Sequence, residues 1–108
     1  MQIVVIVHCT KGRSVRDAIV STLSSSHIEP LVVSETERKT RNPGWTKIHS
    51  SDQKRGAINI RWEGSSSTLE CRVVTRGSQK TSPVLGDFVT YLMNNHRTRI
   101  KAITVTSR

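Results

Sequence analysis

"AINIRWEGSSSTLECRVVTRG", residues 57 to 77, is the stretch that decides how the chain folds. Ile58, Ile60 and Trp62 alternate with Asn59, Arg61 and Glu63, and Leu69, Cys71 and Val73 alternate with Glu70, Arg72 and Val74. A period of two marks strands with one covered face and one wet face. Closing the two runs through Gly64 to Ser67 sets Trp62 against Leu69, Ile60 against Cys71 and Ile58 against Val73. The same register puts Arg61 opposite Glu70 on the other face, a favourable charge pair. A slip of one residue would turn every apolar side chain outward, so a single register satisfies both faces.

Upstream, "QIVVIVHC" (residues 2–9) is a continuous apolar run rich in β-branched residues. Such runs form strands buried on both faces, which predicts a central place in a sheet. The turn "TKGR" leads to Ser14 and, three residues on, Asp17, the spacing of a capping box. Val15, Ala18, Ile19, Thr22 and Leu23 recur at helical spacing and predict an amphipathic helix to about Ser26. Pro30 lies beyond its end, and "LVVSETER" (31–38) reads as a second strand.

Downstream, Ser82 is a predicted N-cap with Pro83 at the first helical position. Leu85, Phe88, Val89, Leu92 and His96 line one side of that helix. Gly86 costs a helix about 1 kcal/mol relative to Ala, which points to close packing at that position. Arg97 and Arg99 follow the C-terminal end, where the helix dipole favours cations. "KAITVTS" (101–107) is a final strand.

The order is therefore β-α-β-β-β-α-β, an α+β two-layer sandwich with both helices packed on one face of a mixed or antiparallel sheet. In outline it is similar to the ferredoxin-like pattern with one extra strand. With 108 residues the chain is read as one domain, 1–108.

Seventeen Lys and Arg against eight Asp and Glu give a formal net charge of +9, the largest departure from an average domain. Such a field favours polyanions: RNA, DNA, an anionic membrane surface or an acidic protein partner. Only two cysteines occur, Cys9 and Cys71, with no CxxC pair. That suits a reducing compartment rather than a disulfide framework. The opening residues lack a signal sequence's basic start and no apolar run is long enough to cross a bilayer, so a cytoplasmic location without a membrane partner is expected.

The string "VHCTKGRSVRD" (7–17) resembles the phosphate-binding loop of Cys-dependent phosphatases, in which a strand-end Cys precedes a helix N-terminus. That resemblance implies a thiolate nucleophile at Cys9 and an Arg gripping phosphate after five intervening residues. Here that position is Val15, with Arg13 before it and Arg16 after it. The alternative reading is an inert, buried Cys9 beside a strand-end His8. The four His residues have no metal-ligand spacing, and neither GxxxxGK[ST], GxGxxG nor GxSxG occurs. No catalytic residue, metal or cofactor is assigned.

Two basic surfaces remain. One is the polar face of the hairpin, with Asn59, Arg61, Arg72 and Arg76 interleaved with Glu63 and Glu70. It bears no aromatic in this reading, so backbone contact is expected there rather than base stacking. The other is residues 37–56, a long basic loop, or a loop plus a short edge strand at "WTKIHS". It holds Arg38, Lys39, Arg41, Lys47, Lys54 and Arg55 around an Asn42-Pro43-Gly44 turn and Trp45. Trp45 is either a stacking platform among phosphate-contacting cations or an anchor folded onto the sheet. The leading expectation is a non-enzymatic nucleic-acid-binding module, RNA ahead of DNA because no helix-turn-helix or zinc motif occurs. The alternatives are a homodimeric interaction domain joined by sheet-edge pairing and a phosphatase-like enzyme centred on Cys9.

Overall fold

The computed structural model describes residues 3–26, 31–35, 45–50, 56–74 and 83–107. The elements are β1 (Ile3–Cys9), α1 (Val15–Ser26), β2 (Leu31–Glu35), β3 (Trp45–Ser50), β4 (Ala57–Glu63), β5 (Thr68–Val74), α2 (Pro83–Asn95) and β6 (Ile100–Ser107), with a 3-10 turn at Arg97–Arg99 before β6. The strands form one six-stranded sheet in the order β2-β3-β4-β5-β1-β6, and each neighbouring pair is antiparallel.

The hairpin β4–β5 has the register that its alternation predicts. Ile58 pairs with Val73, Ile60 with Cys71, Arg61 with Glu70 and Trp62 with Leu69. Its turn ends on Ser67, whose φ of 52° is unusual for a residue with a side chain. The Ser67 carbonyl accepts the Cys9 N–H at 2.9 Å, which ties the turn to the end of β1.

The strand order differs from that of a simple ferredoxin fold, whose unit is β-α-β-β-α-β. Here β2, β3, β4 and β5 form a continuous meander, so three strands separate β2 from its parallel counterpart β1. "WTKIHS" supplies a sixth strand beyond the five of the predicted β-α-β-β-β-α-β order. It lies between β2 and β4, so β3 is an interior strand rather than an edge. The predicted continuation of the second strand to Arg38 falls outside the described residues.

One face of the sheet carries the core. Val5 and Val7 of β1, Ile48 of β3, Ile58 and Ile60 of β4, and Leu69 and Cys71 of β5 are fully buried beneath Val15 and Ile19 of α1 and Val84, Phe88 and Leu92 of α2. Each such side chain contributes about 1.5–3 kcal/mol relative to exposure. Helix α1 starts as its sequence predicts, with the Ser14 hydroxyl accepting the Asp17 N–H at 3.2 Å. The reciprocal half of the capping box is replaced, because the Asp17 carboxylate takes hydrogen bonds from Arg16 instead.

Helix α2 begins at Pro83, but its buried arc is Val84, Phe88, Tyr91 and Leu92, rotated from the predicted Leu85–Val89 side. Leu85 and Val89 sit at its half-buried margin. Gly86 is exposed and a Cβ there would meet nothing within 4 Å, so the expected close packing is not seen among the described residues. The contact between α2 and the sheet next to Gly86 is polar: the fully buried Ser50 hydroxyl donates to the Asp87 carboxylate at 2.9 Å. Among the described residues no helix is long and apolar enough to cross a membrane.

Candidate nucleic-acid interface

Side chains alternate along a strand, so the residues between the core positions project from the other side of the sheet. Neither helix contributes to that side. One cross-strand row there runs Trp45–Arg61–Glu70–Ile6–Thr104, and the next runs Lys47–Asn59–Arg72–Val4–Thr106. The middle of this open face is polar and cationic, while Val4 is buried and Ile6 half-buried at its β1 side.

Trp45, Arg61, Glu70 and Arg72 form one cluster. The guanidinium of Arg61 lies 5.0 Å from the centre of the Trp45 indole and that of Arg72 lies 4.9 Å from it. Glu70 holds both cations: Arg61 Nη2 donates to Oε1 at 2.9 Å and Arg72 Nε donates to Oε2 at 3.1 Å. The side chains of Arg61 and Arg72 remain 40% and 48% exposed, so the cluster is open to solvent. Exposed cation–π contacts contribute about 0.5–1 kcal/mol each, and surface ion pairs about 0.2–1 kcal/mol. The cluster thus orients its cations at a modest energy, one that a ligand phosphate can match. Arg61 Nε is buried with no hydrogen-bond partner among the described residues. Leaving a donor so buried costs about 1–3 kcal/mol.

The structure places Trp45 at the start of strand β3, opposite Arg61 of β4. It is not in a loop, and its half-buried indole packs on the outer face of the hairpin rather than over a sheet edge. The open face accordingly does bear an aromatic, which the hairpin read alone lacks. Lys47 follows on the same face of β3. Arg38, Lys39, Arg41, Lys54, Arg55 and Arg76 lie outside the described residues. In sequence, the first three precede Trp45 closely, and Lys54 and Arg55 lead from β3 into β4.

The loop after Cys9 is built for a different purpose. Arg99 reaches into it and donates from Nε to the Thr10 hydroxyl at 2.8 Å, and from Nη2 to the carbonyls of Thr10 and Arg13 at 3.0 Å. Gly12, at φ 147°, lets the guanidinium come close, since a Cβ there would stand 3.2 Å from Arg99 Nη2. This loop presents carbonyls to a cation, whereas an oxyanion cradle presents amides. Burial pushes the Cys9 thiol's pKa up, with Arg99 pulling it the other way, and Sγ donates to the Val7 carbonyl at 3.6 Å. A nucleophilic thiolate needs the opposite bias. Cys71 is held protonated still more strongly, first by burial.

A second polar contact joins the helix layer to the turn before β6. The Tyr91 hydroxyl and His96 Nε2 are 2.7 Å apart with their rings edge to face. Burial raises the Tyr91 pKa to about 12. Burial, and then Arg99, lower that of His96. Both shifts favour the neutral forms of the pair. Among the described residues no three His, Cys, Asp or Glu side chains gather as a metal site requires.

Comparison with known proteins finds no matching family model, no matching curated protein and no matching solved structure.

Proposed function

We propose that the chain is a small non-enzymatic module that binds single-stranded nucleic acid, RNA ahead of DNA, on the helix-free face of its sheet. The observation that carries this reading is the placement of Arg61 and Arg72 over the Trp45 indole on an open surface of a chain with net charge +9. An aromatic ring flanked by cations matches the two components of single-strand recognition, base stacking and phosphate neutralisation. Bases stack on guanidinium planes as well as on rings, so the two arginines extend the platform that Trp45 begins. Glu70 fixes both guanidinium groups, which lowers the entropy lost when a ligand binds. The basic residues Arg38, Lys39, Arg41, Lys54 and Arg55, which flank β3 in sequence, are proposed to add phosphate contacts.

The proposed setting is the cytoplasm, where Cys9 and Cys71 stay as the free thiols they are in the fold. The two helical crossovers each link parallel strands, β1 to β2 past β5, β4 and β3, and β5 to β6 past β1, and we read the fold as a ferredoxin-like outline enlarged by a hairpin. Titration of a labelled oligoribonucleotide across a salt series tests the function. The logarithm of the affinity should fall linearly with the logarithm of salt concentration, by about 0.7 for each phosphate neutralised. Single strands should bind more tightly than duplexes of equal length. An affinity that is flat with salt, or a preference for duplex, overturns the proposal.

A further inference from the structure

The sheet has two edges, and they differ. The described part of strand β2, Leu31–Glu35, carries an acidic residue in its sequence, and its pairing with β3 shifts register between Val33 and Glu35. Charge and a bulge are devices that keep an edge from pairing with another chain. Strand β6 has none of them along most of its length. It is eight residues long and pairs regularly with β1 from Ala102 to Ser107, with its one irregularity at the start, opposite His8 and Cys9. Ala102 to Ser107 contains no charge, no Pro and no Gly, and Ile103, Thr104, Val105 and Thr106 are all β-branched. Val105 projects from the helix-bearing side, opposite the buried Val5, yet it is 54% exposed. It is the most exposed large hydrophobic side chain among the described residues.

We propose that the chain dimerises through antiparallel pairing of β6 with β6 of a second copy, about a two-fold axis at Thr104. The strand's own pattern selects this occupant. Centring the pair on Thr104 places Ile103 against Val105 of the second copy, and by symmetry Val105 against its Ile103. The apolar pair thus repeats on one face, with Ala102 against Thr106 on the other. The charge distribution selects it too. Two copies at +9 each repel over most of their surfaces, so a self-contact needs an uncharged seam, and Ala102–Ser107 supplies one. Lys101 falls opposite Ser107 of the second copy, never opposite another cation. The two sheets then continue as one, with both helix layers on one side and both Trp45 clusters on the other. This inference stands on the edge alone and does not require that the open face bind nucleic acid.

Sedimentation equilibrium of the full chain at micromolar concentration tests it. The expected mass is twice 12.1 kDa. Val105→Lys, at an already exposed position, should give the single-chain mass with an unchanged far-ultraviolet spectrum. Thr104→Cys should form an inter-chain disulfide readily, because paired antiparallel residues have Cα atoms about 4.5–5.5 Å apart, within the range a disulfide spans. Ser107→Cys, which faces Lys101 of the second copy, should not, and the buried Cys9 and Cys71 keep the background low. A monomer across this range, a dimer that Val105→Lys leaves intact, or faster linking at position 107 than at 104 would each overturn the proposal.

Discussion

Ile60 and Arg61 are neighbours on β4, yet they meet opposite environments. Ile60 is sealed under the helices with Val5, Leu69 and Phe88 in one apolar cluster. Arg61 reaches over Trp45 on the open face and shares Glu70 with Arg72. The covered face holds the fold by removing apolar area from water, an effect that needs shape but no particular partner. The open face is held by contacts that are individually weak and specific in geometry. Stability should therefore reside on one side of the sheet and recognition on the other.

The largest effect expected from breaking that division is on the covered side. Ile60→Ala should cost about 2–5 kcal/mol in denaturant unfolding, because a fully buried side chain leaves a cavity. Per mole of bound strand, its effect on oligonucleotide affinity should be negligible while the protein remains folded. A cost below that range would mean that the sheet and helices pack loosely.

Titration acts on the covered side as well. Since burial lowers the His96 pKa, the unfolded chain takes up a proton there before the folded one does. Stability is then fully present above the imidazole's ordinary 6.5 and falls as pH drops below it. Tyr91 gives the opposite limb. Its pKa is raised from 10.0 to about 12, so its contribution is intact below 10 and is lost as pH climbs through 12. Thermal melts of the parent and of Tyr91→Phe across both ranges check the signs: the alkaline loss should shrink in the variant. An alkaline limb that the variant leaves unchanged would dissociate it from Tyr91.

Gly86→Ala should stabilise the protein by about 0.5–1 kcal/mol, since the site is open and the helix gains propensity. A destabilisation would show a contact at Gly86 that the fold does not contain. The smallest effect belongs to the open face. A double-mutant cycle on Arg61 and Glu70 should return about 0.2–1 kcal/mol of coupling in chemical denaturation. Coupling of several kcal/mol would mean that the cluster stabilises the fold rather than presenting a surface.

The hairpin was fully legible in the sequence, because its two faces demand the same register and each reports on the other. Helix α1 was legible through Ser14 and the Val15–Ile19–Leu23 spacing. Strand β3 was harder to read. Its inward residues are Thr46, Ile48 and Ser50, two of them polar, so the alternation that places Trp45, Lys47 and His49 outward is hidden by hydroxyls. The buried Ser50 hydroxyl donates to Asp87, thirty-seven residues away, a partner that no local pattern reveals. Gly86 misled for a related reason: a helical glycine signals tolerance as well as need. Tyr91 was missed on the buried arc because its hydroxyl suggests an edge, and the partner that lets it go inside, His96, lies beyond the helix end. The pairing of Arg61 with Glu70 was predicted from register, whereas the meeting of both arginines with Trp45 depended on where β3 joins the sheet.

The central claim is that Trp45 is the stacking platform of the open face. The most direct measurement is the affinity of a short single-stranded oligoribonucleotide for the parent, Trp45→Ala and Trp45→Phe at one fixed salt concentration. Removing a stacking ring costs about 1–3 kcal/mol per base, so Trp45→Ala should bind roughly five- to 150-fold more weakly. Trp45→Phe, which keeps a ring, should recover most of that loss. An alanine variant that binds as tightly as the parent, while folded by circular dichroism, would contradict the account.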